Sequence, residues 1–124
     1  MENKKVLYGD DNAQMRNSLA RALKLRNWDL DLVSSPQEVV AKARANPYDA
    51  VVTDLQYSPD GQEGYEVLKQ IRELPVLKVI YSAQCGFEAE AEALDSGADY
   101  AVLRKDESGL MAILDEKLGD KNGK

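Results

Sequence analysis

Short continuous apolar runs alternate along the chain with longer stretches in which apolar residues return every three or four positions. The first run, Val6-Leu7-Tyr8-Gly9, predicts a buried strand over about residues 5–9. Met15, Leu19, Ala22 and Leu23 then share one face of a helix. Residues 28–34 read as a second strand, with Trp28, Leu30 and Leu32 alternating with Asp29 and Asp31. Such alternation marks a strand with one face partly open to water, as at a sheet edge. Ser35-Pro36-Gln37-Glu38 predicts a helix start: Ser35 caps, Pro36 suits the first turn and Glu38 closes a capping box. A third strand is expected over about 49–54, and residues 57–64 are rich in turn formers and read as a loop. The third helix presents Val67, Leu68 and Ile71 and is expected to end near Pro75. A strand over 77–81, a helix over about 87–96 stopped by Gly97, and a strand within 100–104 follow. A last helix presents Leu110, Ile113, Leu114 and Leu118, ahead of a polar tail, 119–124, expected to fray.

Five strand–helix units in series imply an α/β fold, a doubly wound parallel sheet with helices on both faces. Right-handed crossovers restrict the topology, but the pattern alone does not order the strands. An order of 2-1-3-4-5 would set strands 1 and 3 side by side at the switch point, where such sheets bind ligands beyond the strand C-terminal ends. No repeat, low-complexity tract or linker to a second domain interrupts the pattern.

Composition narrows the functions. The 124 residues suit one domain, and 31% charged with 44% apolar residues suits a folded, soluble one. No apolar run reaches membrane-spanning length, and neither a signal peptide nor a lipidation motif is evident, so a cytoplasmic protein with no membrane partner is expected. Histidine is absent, which removes a Ser-His-Asp triad and His-ligated zinc together. The single cysteine, Cys85, excludes an internal disulfide and reads as an ordinary thiol. A net charge of −6 argues against nucleic-acid binding through this domain.

The candidate chemistry lies at strand ends. Asp10 and Asp11 follow the first apolar run, and Asp54 follows Ala50-Val51-Val52-Thr53. Ser82 follows the fourth strand, and Lys105 follows the fifth. Converging carboxylates repel one another unless a cation joins them, and the cation that suits all-oxygen ligands is hard, such as Mg2+. Each residue alone has a plainer reading: Asp10-Asp11 as helix capping, Asp54 as a turn residue, Ser82 as a loop hydroxyl, Lys105 as a solvated charge. Their placement at a common edge favours the functional reading.

The set closely resembles the receiver domain of two-component response regulators. The likeness is carried by Val6-Leu7-Tyr8-Gly9-Asp10-Asp11-Asn12, Tyr48-Asp49-Ala50-Val51-Val52-Thr53-Asp54-Leu55, Gly64-Tyr65-Glu66-Val67-Leu68, Tyr81-Ser82-Ala83 and Gly97-Ala98-Asp99-Tyr100, in that order and spacing. It implies a flavodoxin-like topology of five strands and five helices, with the receiver domain over residues 1–118. It implies that Asp54 accepts a phosphoryl group, that Asp11, Asp54 and the Gln56 backbone carbonyl ligate Mg2+, and that Asp10 serves the metal through water or from behind the direct ligands. Lys105 would pair with phosphoryl oxygens, and Ser82 would donate to one of them after phosphorylation. The output face would lie around 87–96 and 100–118. The partners implied are a sensor histidine kinase or phosphotransfer protein upstream, and a downstream protein or fused output domain. By the same likeness, Gln56 and Gln84 would set the lifetime of the acyl phosphate.

The chain departs from the family pattern at four points. The segment 57–64 is about two residues longer than usual and lacks an early Pro. Asp106, not Pro, follows Lys105, so a trans bond is expected. Counting from Gly97 puts the active-site cation at Arg104, whereas counting back from Asp106 puts it at Lys105; a bulge or one extra residue in the fifth strand would reconcile the counts. Tyr100 stands early for the aromatic that reports switching, with Ala101 or Val102 nearer its place. A phosphorylation-independent binding module of the same fold is the alternative reading. A Mg2+-dependent phosphatase of the haloacid-dehalogenase type would need a second Asp where Gln56 stands, so the domain reads as a phosphoryl acceptor with slow self-dephosphorylation and not as an enzyme.

Overall fold

The computed structural model describes residues 4–59, 61–83, 87–103 and 106–119. Strands and helices alternate throughout: β1 (Lys5–Gly9), α1 (Ala13–Lys24), β2 (Asp29–Val33), α2 (Pro36–Ala45), β3 (Ala50–Thr53), α3 (Glu63–Gln70), β4 (Leu77–Ser82), α4 (Phe87–Ser96), β5 (Tyr100–Leu103) and α5 (Glu107–Leu118). All four strand pairs are parallel, and the order is β2-β1-β3-β4-β5, the doubly wound order that brings β1 and β3 together.

Side chains on successive strand residues point to opposite faces, so each strand feeds two cores. Val6, Tyr8, Val52, Val79 and Tyr81 pack against Leu19 and Leu23 of α1 and Leu110 and Leu114 of α5. Leu7 and Val51 face the other way, against Val39 of α2 and Val67 and Ile71 of α3. Ile80 meets Leu68 and Tyr65 of α3 and Ala93 of α4. Burial on both faces is why β1 and β3 read as near-continuous apolar runs; in β4 the run is broken by Lys78, whose ammonium donates to the Leu74 and Val76 carbonyls. β2 lies at the edge, and its Leu32 is 38% exposed. Among the described residues, no helix is long and apolar enough to cross a membrane.

The boundaries differ from expectation where local hydrogen bonding decides. β2 and β3 are each one residue shorter at both ends than the apolar patterns predict. Asp49 leaves the β3 strand, but its N–H donates to the Lys5 carbonyl and its carboxylate accepts from the Lys5 N–H. α3 begins at Glu63, inside the predicted loop, and ends at Gln70, well before Pro75. The Ile71 N–H is shared between the Val67 and Leu68 carbonyls, which tightens the last turn and stops the helix. Ser35 caps α2 as expected, accepting from the Glu38 N–H at 3.2 Å, but the Glu38 carboxylate reaches back one residue further, to the Ser34 N–H at 3.1 Å. Gly97 follows α4 with φ +125°, a backbone conformation that favours glycine.

Candidate metal centre

Register brings the carboxylates together. Gly9 pairs with Val33 on one side and Thr53 on the other, so Asp10 and Asp54 leave neighbouring strands at the same edge. One more hydrogen bond extends each ladder: the Asp10 N–H donates to the Val33 carbonyl at 3.1 Å and the Asp54 N–H to the Gly9 carbonyl at 2.8 Å. Asp10, Asp11 and Asp54 each offer a carboxylate oxygen, and these atoms lie within 4.8 Å of one another. Asp10 and Asp54 are buried, whereas Asp11 is exposed.

The capping alternative falls to a neighbour. The N-cap of α1 is Asn12, whose side-chain oxygen accepts from the Met15 N–H at 3.1 Å. Asp10 is instead fixed in place. Its Oδ2 accepts from the Tyr8 hydroxyl at 2.6 Å, its Oδ1 from the Asn12 N–H at 2.9 Å, and its carbonyl from Arg16 Nη1 at 2.6 Å. One oxygen of Asp54 accepts from the Leu55 N–H at 2.8 Å. The sequence reading missed Tyr8 and Arg16. Tyr8 was findable, because residues two apart on a strand share a face.

The segment after Asp54 is anchored from below and from α3. The Thr53 hydroxyl donates to the Asp54 carbonyl at 2.9 Å and lies 2.7 Å from the Tyr57 hydroxyl. Burial pushes the Tyr57 phenol above its ordinary value, and the charges of Asp54 and Asp10 push the same way against the Thr53 hydrogen bond. Tyr57 is thus a neutral group next to the carboxylates. Gly64 is the second residue of α3, and its N–H donates to the Leu55 carbonyl at 2.8 Å. The Glu63 carboxylate accepts from the Tyr57 N–H at 3.0 Å and from the Ser58 hydroxyl at 2.6 Å. The Ser58 bond, then the Tyr57 bond, hold Glu63 below the usual carboxylate range. Gln56 sits half-buried within this anchored stretch.

Ser82 ends β4 at the same edge, buried, and pairs in register with Leu103. Lys105 and Arg104 lie outside the described residues, as do Gln84, Cys85 and the tail beyond Gly119. The described part of β5 pairs residue for residue with β4 from Tyr100 to Leu103, so it holds no bulge, and the extra residue invoked to reconcile the two counts is not found there. Tyr100 opens β5 and packs on the α1–α5 face, where the Lys117 ammonium stands 5.9 Å from its ring centroid. Ala101 occupies the opposite face, towards α3 and α4.

Three carboxylates at this separation fit a hard divalent cation whose remaining ligands are backbone and water oxygens. Neither a thiol nor an imidazole is among the residues gathered here, so the donor set matches Mg2+ better than a softer metal.

The profile of the response regulator receiver domain family matches residues 6–115. The chain is 31% identical over 101 residues to the transcriptional regulatory protein ResD of Bacillus subtilis, covering 81% of this chain and 41% of ResD. It thus spans about two fifths of that relative. In fold it is similar to the receiver domain of Ssk1 from Saccharomyces cerevisiae, solved with the histidine phosphotransfer signalling protein Ypd1 (TM-score 0.83, 22% identity, 93% of this chain and 88% of that one). It is also similar to the response regulator TrrA of Thermotoga maritima, solved in complex with Mg2+–BeF (TM-score 0.79, 21% identity, 93% and 99%). With the strand order and the acidic cluster described above, the match places this chain in the family of receiver domains of two-component response regulators.

Proposed function

We propose that this domain is a phosphorylation switch in which Asp54 accepts a phosphoryl group with Mg2+ held by Asp11, Asp54 and the Gln56 carbonyl. The observation that carries the reading is the convergence of the Asp10, Asp11 and Asp54 oxygens within 4.8 Å at the end of β1 and β3. A carboxylate oxygen of Asp54 attacks the phosphorus of a phosphohistidine. An O–P bond forms, the P–N bond breaks, and the electron pair leaves with the imidazole nitrogen. Mg2+, when bound, offsets the negative charge shared by the carboxylates and the phosphoryl oxygens. The chain's own groups supply order: the Leu55 N–H orients Asp54, while Tyr8 and Asn12 hold Asp10 where it acts through water. Ser82 donates to a phosphoryl oxygen once the group is in place, and Lys105 pairs with another. Water attack at phosphorus, with the Asp54 carboxylate leaving, resets the switch; the domain is itself modified and turns over no free substrate.

A sensor histidine kinase or a phosphotransfer protein is the donor on this reading, supported by the fold relative solved with Ypd1. Because the chain spans about two fifths of ResD, the output falls to a fused domain or a separate protein. The likeness to a transcriptional regulatory protein supports a cytoplasmic setting.

The test is incubation with acetyl phosphate and Mg2+, read by intact mass, with Asp54→Ala alongside. One phosphoryl adduct on the parent and none on the variant is expected. No adduct on the parent, with no affinity for Mg2+, would replace this reading with a phosphorylation-independent binding module.

A further inference from the structure

Resting on the Mg2+ reading above, we propose that Glu63 is a positioning residue for the metal site, whose carboxylate straps the loop after β3 and so aims the Gln56 carbonyl. The Gln56 C=O and the Tyr57 N–H belong to the same planar trans peptide and point in opposite directions. A bond that fixes one fixes the other. The Tyr57 N–H donates to Glu63 Oε1 at 3.0 Å, so the carboxylate sets the plane in which the Gln56 carbonyl lies.

The strap is anchored on both sides. Before Gln56, the Leu55 carbonyl accepts from the Gly64 N–H at 2.8 Å. After it, the Tyr57 hydroxyl meets Thr53 at 2.7 Å, and Ser58 donates to Glu63 Oε2 at 2.6 Å. Residues 55 and 57 are thereby tied to the first two residues of α3, and residue 56 is left between two fixed points. The loop leaves room for this arrangement. A Cβ at Gly61 would collide with both Glu63 oxygens and with the Ser58 hydroxyl, and the Gly61 N–H closes a turn on the Ser58 carbonyl at 3.1 Å. The loop is therefore folded around the carboxylate.

Two substitutions separate reach from charge. Glu63→Gln loses the charge but keeps an oxygen at the same distance for the Tyr57 N–H. Glu63→Asp keeps the charge but is one methylene too short. The experiment is Mg2+ titration of the full chain by calorimetry for parent, Glu63→Gln, Glu63→Asp and Glu63→Ala, with melting of each followed in EDTA. The expected result is Glu63→Gln within about twofold of the parent, and Glu63→Asp and Glu63→Ala weaker by roughly three- to tenfold, the weight of one hydrogen bond. Glu63→Asp matching the parent while Glu63→Gln is weakened would make the effect one of charge and overturn the proposal, as would unchanged affinity in Glu63→Ala. The parent failing to bind Mg2+ would instead overturn the functional reading, and the strap's role with it. If Glu63→Ala does not fold, the comparison of Gln with Asp still decides.

Discussion

Gly64 shows how closely the backbone of α3 presses on the site. A Cβ at this position would collide with the Asp54 carbonyl oxygen and come within 2.7 Å of the Leu55 Cα, backbone atoms that cannot turn aside as a flexible side chain can. Gly64→Ala forces α3 away from the end of β3, at a cost of about 1–3 kcal/mol, as for other overpacked positions. The expected outcome is a lower urea midpoint with an unchanged slope, together with weaker Mg2+ binding, because the Leu55–Tyr57 stretch moves with the helix. A midpoint equal to that of the parent would show that the helix shifts freely. Residues of the site differed in how far the sequence disclosed them. Asp10, Asp11 and Asp54 were legible because each closes an apolar run, and strand ends are where such sheets do chemistry. Gly64 was marked by family resemblance and read as a turn former in the 57–64 loop, whereas the structure sets it in α3 and supplies a close backbone approach as its physical reason. Glu63 was not legible, since its role depends on a turn that folds Tyr57 and Ser58 back onto it, and no local pattern encodes that closure.

Between elements, the join of α1 to α5 rests partly on an ion pair as well as on the core beneath it. Arg26, in the turn after α1, donates from Nε and Nη2 to the two oxygens of Asp115 on α5, at 2.6 and 2.7 Å, and its guanidinium stands 6.0 Å from the Trp28 ring. The hydrogen bond from Arg26 holds the Asp115 carboxyl below its ordinary value of 3.8, with burial opposing it. A carboxyl with a depressed folded pKa binds fewer protons folded than unfolded. Its stabilisation is therefore present above the ordinary value and is lost as pH falls through the lower, folded one. Because Asp115 is half exposed, solvent screening limits the pair to at most about 1 kcal/mol. Asp115→Asn is expected to destabilise by no more than that at pH 7 in low salt. The gap should shrink as pH drops below 3.8 and as salt is added, as urea melts of both proteins across pH would measure. A gap independent of pH would assign the effect to packing. At this scale the sequence read well where a periodic apolar face defines a helix, as with Leu110, Leu114 and Leu118 of α5. It read less well at ends, where one shared N–H stopped α3 and one longer reach of Glu38 reshaped the α2 cap.

The whole molecule tolerates a cluster that works against its own stability. Three carboxylates within 4.8 Å, on a chain of net charge −6, repel one another when no cation neutralises them. The sheet holds them there nonetheless, because Asp10 and Asp54 continue strands whose register is fixed on both sides by buried apolar residues. Relieving that repulsion should stabilise the metal-free fold. Asp11 is the residue to change, since it is exposed and its replacement leaves no buried group stranded. In EDTA, Asp11→Asn is expected to melt about 4 °C above the parent, for a gain of roughly 1 kcal/mol in a domain of 124 residues. Mg2+ should invert the order. A ligand that binds only the folded state at a hundred times its Kd adds about 2.7 kcal/mol, and the parent gains this while the variant, whose amide oxygen carries no charge for the cation, gains less. Scanning calorimetry of both proteins in EDTA and in saturating Mg2+ would display the crossing. Melting curves of the variant below those of the parent under both conditions would mean that Asp11 stabilises the fold by itself. The acidic cluster would then be structural, and the tension between function and stability argued for it would not exist.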